Sequence, residues 1–197
     1  NNNFAKINND VVKNHIGKEY EFLLFCNNDV KLLNDAISGM LNVFKEKPKV
    51  GTVGGRLHFG DNTIQHDGMM AYIDKNNFFQ ITHKNLGGYY NFLDKTIPII
   101  GNTGALVMIR KFTFEKCGMF NENYISCFED VELNFKCVVL GLENYLCSKC
   151  VAYHYESQTR NDDNDKLEKL QKDYSKNLLP FVIKNLNKLQ NYLVKFN

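Results

Sequence analysis

Three polar clusters in this 197-residue chain stand where an apolar run ends, and each holds side chains able to do chemistry. Asn27-Asn28-Asp29 closes the run from Tyr20 to Cys26. On an extended backbone, side chains at i and i+2 point to one side, so Asn27 and Asp29 can grip one hard cation, with the Asp29 carboxylate the stronger ligand. The same residues also suit the N-cap of a helix starting at Lys31. In Phe128-Glu129-Asp130-Val131-Glu132, two adjacent carboxylates open a helix. A neighbouring negative charge raises a carboxyl pKa toward that of a general base, while the alternative role is compensation of the helix dipole. His154, in Ala-Tyr-His-Tyr at a strand end, offers an imidazole to Mn²⁺ or Zn²⁺, or serves structure alone. Cys147-x-x-Cys150 followed by His154 provides a zinc-site alternative, against which stands the reading of all six cysteines as free thiols in apolar segments.

The elements that must position these groups read as α/β. Ala5 to His15 has the pattern of a short helix, with Gly17 as its expected C-terminal cap. Tyr20 to Cys26 is nearly all apolar, as in a strand buried on both faces, and polar residues at the carboxyl end of such a strand sit where open α/β sheets bind ligands. Leu32, Leu33, Ala36, Ile37, Met40, Leu41, Val43 and Phe44 recur at helical spacing up to Pro48, and Val50 to Leu57 reads as a second core strand. Strand, helix, strand implies a parallel unit. From His58 to Lys95 hairpins and a mobile loop are expected. Beyond Pro98, the turn Gly101-Asn102-Thr103-Gly104 feeds another buried strand. A short helix over Lys111 to Cys117 stops at Gly118, and Glu129 to Leu140 is an amphipathic helix stopped at Gly141. Two short strands follow, near Asn144 to Cys147 and Val151 to His154. After the polar break 161–165 come two Lys-rich helical stretches around Pro180. The second carries one apolar stripe, Leu179, Val182, Leu186, Leu189, Leu193 and Phe196, for docking on the domain, on a partner helix or on an anionic membrane surface.

Composition excludes several classes. At 44% hydrophobic and 13% aromatic residues the chain is not disordered as a whole. Its 24 basic and 22 acidic residues leave a net charge of +2, and arginine occurs only at 56, 110 and 160, which argues against a nucleic-acid partner. Asn is abundant, 27 residues, and reads as genome bias without functional weight. No apolar run approaches the roughly 18–20 residues of a membrane helix.

The order of the motifs resembles one known family. Asn3-Phe4-Ala5-Lys6-Ile7-Asn8-Asn9, Leu24-Phe25-Cys26-Asn27-Asn28-Asp29, Val50-Gly51-Thr52-Val53-Gly54-Gly55-Arg56 and Ile64-Gln65-His66-Asp67-Gly68 resemble successive motifs of inverting nucleotide-sugar glycosyltransferases of family 2. So do Gly101 to Arg110, Gly118-Met119-Phe120-Asn121-Glu122-Asn123-Tyr124, Glu129-Asp130-Val131-Glu132-Leu133 and His154 to Arg160. The resemblance covers about residues 3 to 160. It implies a GT-A-like (Rossmann-like) mixed sheet flanked by helices, lacking the N-terminal portion that binds the nucleotide base, as domain 1–160, with a C-terminal helical extension at 161–197. It further implies that Asp29 and His154 hold Mn²⁺ or Mg²⁺, that Asn27, Asn28, Gly101, Asn102, Thr103, Gly104 and Arg160 contact the nucleotide-diphosphate sugar, and that Asp130 is the base, with Glu129 positioning a glycan or lipid-linked acceptor. A cytoplasmic location, peripheral at the inner membrane face through the C-terminal helix, is the matching expectation; sugar, linkage and oligomeric state are left open.

Overall fold

The computed structural model describes residues 3–89, 95–155 and 164–194. In chain order the elements are α1 (Phe4–His15), β1 (Phe22–Cys26), β2 (Val30–Leu32), α2 (Ala36–Glu46), β3 (Val50–His58), β4 (Ile64–His66), β5 (Met69–Ile73), β6 (Phe79–His83), β7 (Ile97–Ile99) and β8 (Leu106–Arg110). They continue with α3 (Lys111–Lys116), α4 (Glu129–Val139), β9 (Glu143–His154), α5 (Asn164–Asp173), a π-helical segment Tyr174–Leu178, α6 (Leu179–Leu189), a 3₁₀ turn Gln190–Tyr192 and β10 (Leu193–Val194).

The main sheet runs β1-β8-β3-β9-β2, with β4 on β3 and β7 on β9. β8 lies antiparallel to both β1 and β3, whereas β3 and β9 are parallel, so the sheet is mixed. β8 shows why a core strand reads as an unbroken apolar run. Leu106 and Met108 face a cluster with Met40, Val43 and Phe44 of α2, while Val107 and Ile109 face Ala5, Val12, Phe114 and Leu133 on the opposite side. A third cluster joins α4, through Val131, Phe135 and Val138, to Met69, Ala71 and Phe79 of the small sheet β10-β5-β6 and to Leu178, Val182 and Leu189.

Several expectations need correction. β1 is an edge strand whose burial alternates, with Leu23 and Phe25 inside and Leu24 36% exposed, so its apolar run is not covered on both faces. Gly17 is not in the left-handed conformation; α1 ends at an extended Ile16. The helical phase at Leu32 and Leu33 is misleading, because Val30–Leu32 pairs with Ala152–His154 of β9 and the helix begins at Ala36, capped by the Asp35 carboxylate, which accepts from Ser38 N–H. Asp29 is therefore no helix cap. The two short strands are one, β9, with a register shift opposite Gly55 and Arg56. The tail helices meet at a π-helical segment, and Pro180 falls in the first turn of α6, directly after it. Val182 and Leu189 of the predicted stripe are buried against the domain, Leu186 is exposed, and Phe196 lies outside the described residues, as does the 90–94 part of the expected loop.

Gly118 and Gly141 do end α3 and α4, at φ +77° and +78° with open space where a Cβ would be. A side chain there meets only the backbone penalty of the left-handed region, so Gly141→Ala should cost about 1 kcal/mol in urea unfolding. Among the described residues no helix is long and apolar enough to cross a membrane.

Candidate active site

A cleft of about 480 Å³ opens where β1 and β9 finish and β8 begins, lined among others by Asn27, Gln65, His83, Thr103, Gly104, Glu129, Asp130 and His154. Its location follows from pairing. Asn27 N–H donates to Ala105 C=O at 2.9 Å, which joins the end of β1 to the start of β8, and Tyr155 N–H donates to Asp29 C=O at 3.1 Å, which joins the end of β9 to the same loop. Residues 127 positions apart in sequence thereby meet.

On one wall, Asp29 Oδ1 lies 3.1 Å from His154 Nε2, and the Asn27 amide nitrogen lies 3.3 Å from the same ring atom. The tautomer of His154 is assigned by Gln65. The Gln65 amide nitrogen reaches the His154 carbonyl at 3.4 Å, which turns Oε1 toward Nδ1 at 2.7 Å, so Nδ1 carries the proton and Nε2 presents its lone pair. Asp29 Oδ1 is buried and has no hydrogen-bond donor. A carboxylate oxygen and an imidazole nitrogen thus face each other at 3.1 Å with the Asn27 amide beside them, oxygen and nitrogen ligands of the kind that a divalent cation takes. Among the described residues no three His, Cys, Asp or Glu side chains converge on one point, and the Asn27 amide stands beside the Asp29–His154 pair.

On the other wall, α4 delivers Asp130. Its Oδ2 accepts from Gly104 N–H and its Oδ1 from Val131 N–H, both at 2.7 Å. Burial pushes the carboxyl up from its ordinary value, against the downward pull of these two N–H groups and of His83. Glu129 also lines the cleft. The residue before them, Phe128, has φ +77°, a left-handed conformation that costs a non-glycine residue about 1–2 kcal/mol. The tail holds that turn in place. The buried Asp173 carboxylate accepts from the backbone N–H groups of Ile125, Ser126 and Cys127 at 2.6–3.2 Å. The Tyr174 ring packs edge-on against Phe128, and its hydroxyl donates to Phe79 C=O. Asp173→Ala strands three N–H donors and should cost about 2–3 kcal/mol in denaturant unfolding. Asp173→Asn, keeping one acceptor, should lose less.

Of the turn 101–104, Thr103 and Gly104 face the cleft, whereas Gly101 and Asn102 lie behind it. Asn134, one helical turn past Asp130, accepts from Thr52 Oγ1 at 2.6 Å and Asn102 N–H at 3.0 Å, and donates to Asn102 C=O at 2.8 Å. Asn144 donates to Ile100 C=O at 2.8 Å. This buried amide network fixes the turn against α4 and β9 and leaves Gly101 and Asn102 as its framework. Asn28 is exposed, and Arg160 lies outside the described residues. Cys147 and Cys150 are buried among the apolar residues beneath α2, where burial raises both thiols, Cys150 to about 12, while His154 is engaged by Asp29 and Gln65. Gln65, His66, His83, Asn134 and Asp173 are the site residues that sequence reasoning passed over. Gln65 and His66 stood in a quoted motif; the others carry no local signal.

The fold is of the GT-A type. The crystal structure of GalNAc-T7 with UDP, GalNAc and Mn²⁺ superposes with a TM-score of 0.56 at 11% identity, over 94% of this chain and 40% of that one. In sequence, O-antigen biosynthesis protein RfbC of Myxococcus xanthus is 30% identical over 164 residues, 82% of this chain and 13% of that protein. Uncharacterized protein y4gI of Sinorhizobium fredii (strain NBRC 101917 / NGR234) is 27% identical over 170 residues, again 82% of this chain and 18% of that protein. The chain therefore spans less than a fifth of the length of these relatives. No protein-family model matches it.

Proposed function

We propose that the chain is the catalytic part of an inverting glycosyltransferase that moves a sugar from a nucleoside-diphosphate donor to a hydroxyl of a glycan or lipid-linked acceptor. The observation that carries this reading is the placement of two separate polar centres around one cleft, His154 with Asp29 behind it on one side and Asp130 on the other. The resemblance to RfbC, an O-antigen biosynthesis protein, and to a fold crystallised with UDP, GalNAc and Mn²⁺ supports it.

Asp130 accepts the proton of the acceptor hydroxyl. The freed oxygen pair bonds the anomeric carbon, whose bond to the diphosphate oxygen breaks on the opposite face, and the nucleoside diphosphate leaves with that pair, so configuration inverts. Gly104 N–H and Val131 N–H keep the Asp130 carboxylate ionised and aimed. Glu129 positions the acceptor beside it. Asp29 and His154, with Asn27, would hold Mn²⁺ or Mg²⁺, which when bound supplies positive charge to the departing diphosphate.

The test is release of nucleoside diphosphate from UDP- and dTDP-linked sugars by the full chain with Mn²⁺ and a glycan acceptor. Turnover abolished by EDTA, with an inverted anomeric product, is expected. Tight donor binding with no turnover on any of them would make the chain a binding module and overturn the proposal.

A further inference from the structure

The C-terminal tail lies beyond the stretch that carries the family resemblance, yet two consecutive tail residues grip separate parts of the cleft lining. Asp173, fully buried, accepts from Ile125, Ser126 and Cys127 N–H on the loop that leads into α4, and Ser126, Cys127 and Phe128 of that loop line the cleft. Tyr174 sets its ring edge-on to Phe128 and donates from its hydroxyl to Phe79 C=O at the start of β6. β6 and its partner β5 line the same cleft through Ile81, Thr82 and Met69. Farther along the tail, Leu193 and Val194 of β10 pair with Ala71 and Tyr72 of β5, and Leu178 and Val182 share a core with Val131 and Phe135 of α4. Asp29 and His154, by contrast, are held by Gln65, Asn27 and the pairing of β2 with β9.

We propose that Asp173 and Tyr174 are positioning residues for the acceptor: they tie the loop 125–128 to β6 and so fix the space before Asp130 that the acceptor hydroxyl enters, with no part in holding the cation. The inference rests on the reading of the cleft as a sugar-transfer site. A base must stand within hydrogen-bond reach of the proton it takes, and a misplacement of about 1 Å caused far from the chemistry can cost about 10²-fold in rate. Asp130 stands two residues after Phe128, whose φ of +77° persists only where surrounding contacts over-determine it. Asp173 supplies them on the residues before Phe128, and Tyr174 on its ring. A carboxylate suits the first task because three N–H groups converge on it, and hydrogen bonds to an ionised acceptor are the stronger kind.

Amide hydrogen exchange of the full chain gives a readout independent of activity. In Asp173→Ala the amides of Gly104 and Val131, which donate to Asp130, should exchange about tenfold faster, while those of Asn27 and Tyr155, which fix the Asp29 loop, keep their wild-type rates. In transfer assays with the nucleotide sugar and glycan acceptor that the wild type uses best, Asp173→Ala should lower kcat/KM for the acceptor about 10–100-fold. Its Mn²⁺ affinity, measured with UDP, should not change. Asp173→Asn, which keeps an acceptor oxygen for the loop, and Tyr174→Phe, which keeps the ring on Phe128, should each lose only about threefold. Wild-type exchange at Gly104 and Val131 in Asp173→Ala overturns the inference. Equal acceleration of all four amides with weaker Mn²⁺ binding also overturns it, by showing a general loss of stability. A wild type that transfers no sugar, or full activity in Asp130→Asn, removes the reading of the cleft beneath it, and the exchange rates then still report whether the tail holds Asp130.

Discussion

Replacing Asp130 with asparagine is expected to lower transfer by about 10²–10⁴-fold, the usual contribution of a positioned general base and equivalent to about 3–5 kcal/mol of barrier. Two features make the effect specific. First, an amide at 130 still accepts from one of the two N–H groups that aim the carboxylate, so the turn at Gly104 keeps an anchor. Loss of one hydrogen bond and removal of a buried charge are opposing changes of similar size, and the melting temperature should move by no more than a few degrees. Second, the pH profile changes form. Burial raises the Asp130 carboxyl, and the base is the ionised form, so wild-type kcat/KM should fall as pH drops through a pKa above the ordinary carboxylate range. The variant should lack that limb. An acidic limb unchanged in the variant would assign it to another group and remove Asp130 as the base.

The parts of this arrangement legible in the sequence are those that local chemistry writes down. Apolar strands ending in polar residues, helix α4 beginning at Glu129, and the glycines that stop α3 and α4 all follow from spacing and backbone preference. Asp29, Asp130 and His154 are each conspicuous, but local chemistry does not bring Asp29 to His154; only the family resemblance implies that meeting, which the antiparallel pairing of β2 with the far end of β9 produces. Leu32 of β2 reads as helix, since Leu32 and Leu33 keep phase with Ala36 and Met40; only the partner strand tells them apart. Residues that position others were the least legible. Gln65 acts on His154 across 89 positions, and Asp173 on Ser126 across 47. An amide or carboxylate with no nearby polar company gives no hint that it is buried. The tail illustrates the consequence: its apolar stripe announced docking, but not that Asp173 and Tyr174 would restrain the turn leading into Glu129 and Asp130.

Gln65 also carries the second large expected effect, which concerns the cation. His154 offers a lone pair at Nε2 because Gln65 Oε1 accepts a hydrogen bond from Nδ1–H, and outer hydrogen bonds of this kind are worth about 10–100-fold in metal affinity. Titration calorimetry of the full chain with Mn²⁺ in the presence of UDP should therefore show Gln65→Ala weaker by about that factor. Asp29→Ala and His154→Ala, each removing a direct donor, should fall further, because the remaining group then faces the ion with only the Asn27 amide beside it. Gln65→Glu distinguishes orientation from mere packing. It keeps the acceptor facing Nδ1 and adds negative charge behind the imidazole, which raises ligand basicity, so Mn²⁺ affinity should match or exceed that of the wild type even though the amide donor to the His154 carbonyl is lost. Equal Mn²⁺ affinity in the wild type, Asp29→Ala and His154→Ala would place the cation elsewhere and leave the 3.1 Å contact as an ion pair of the fold.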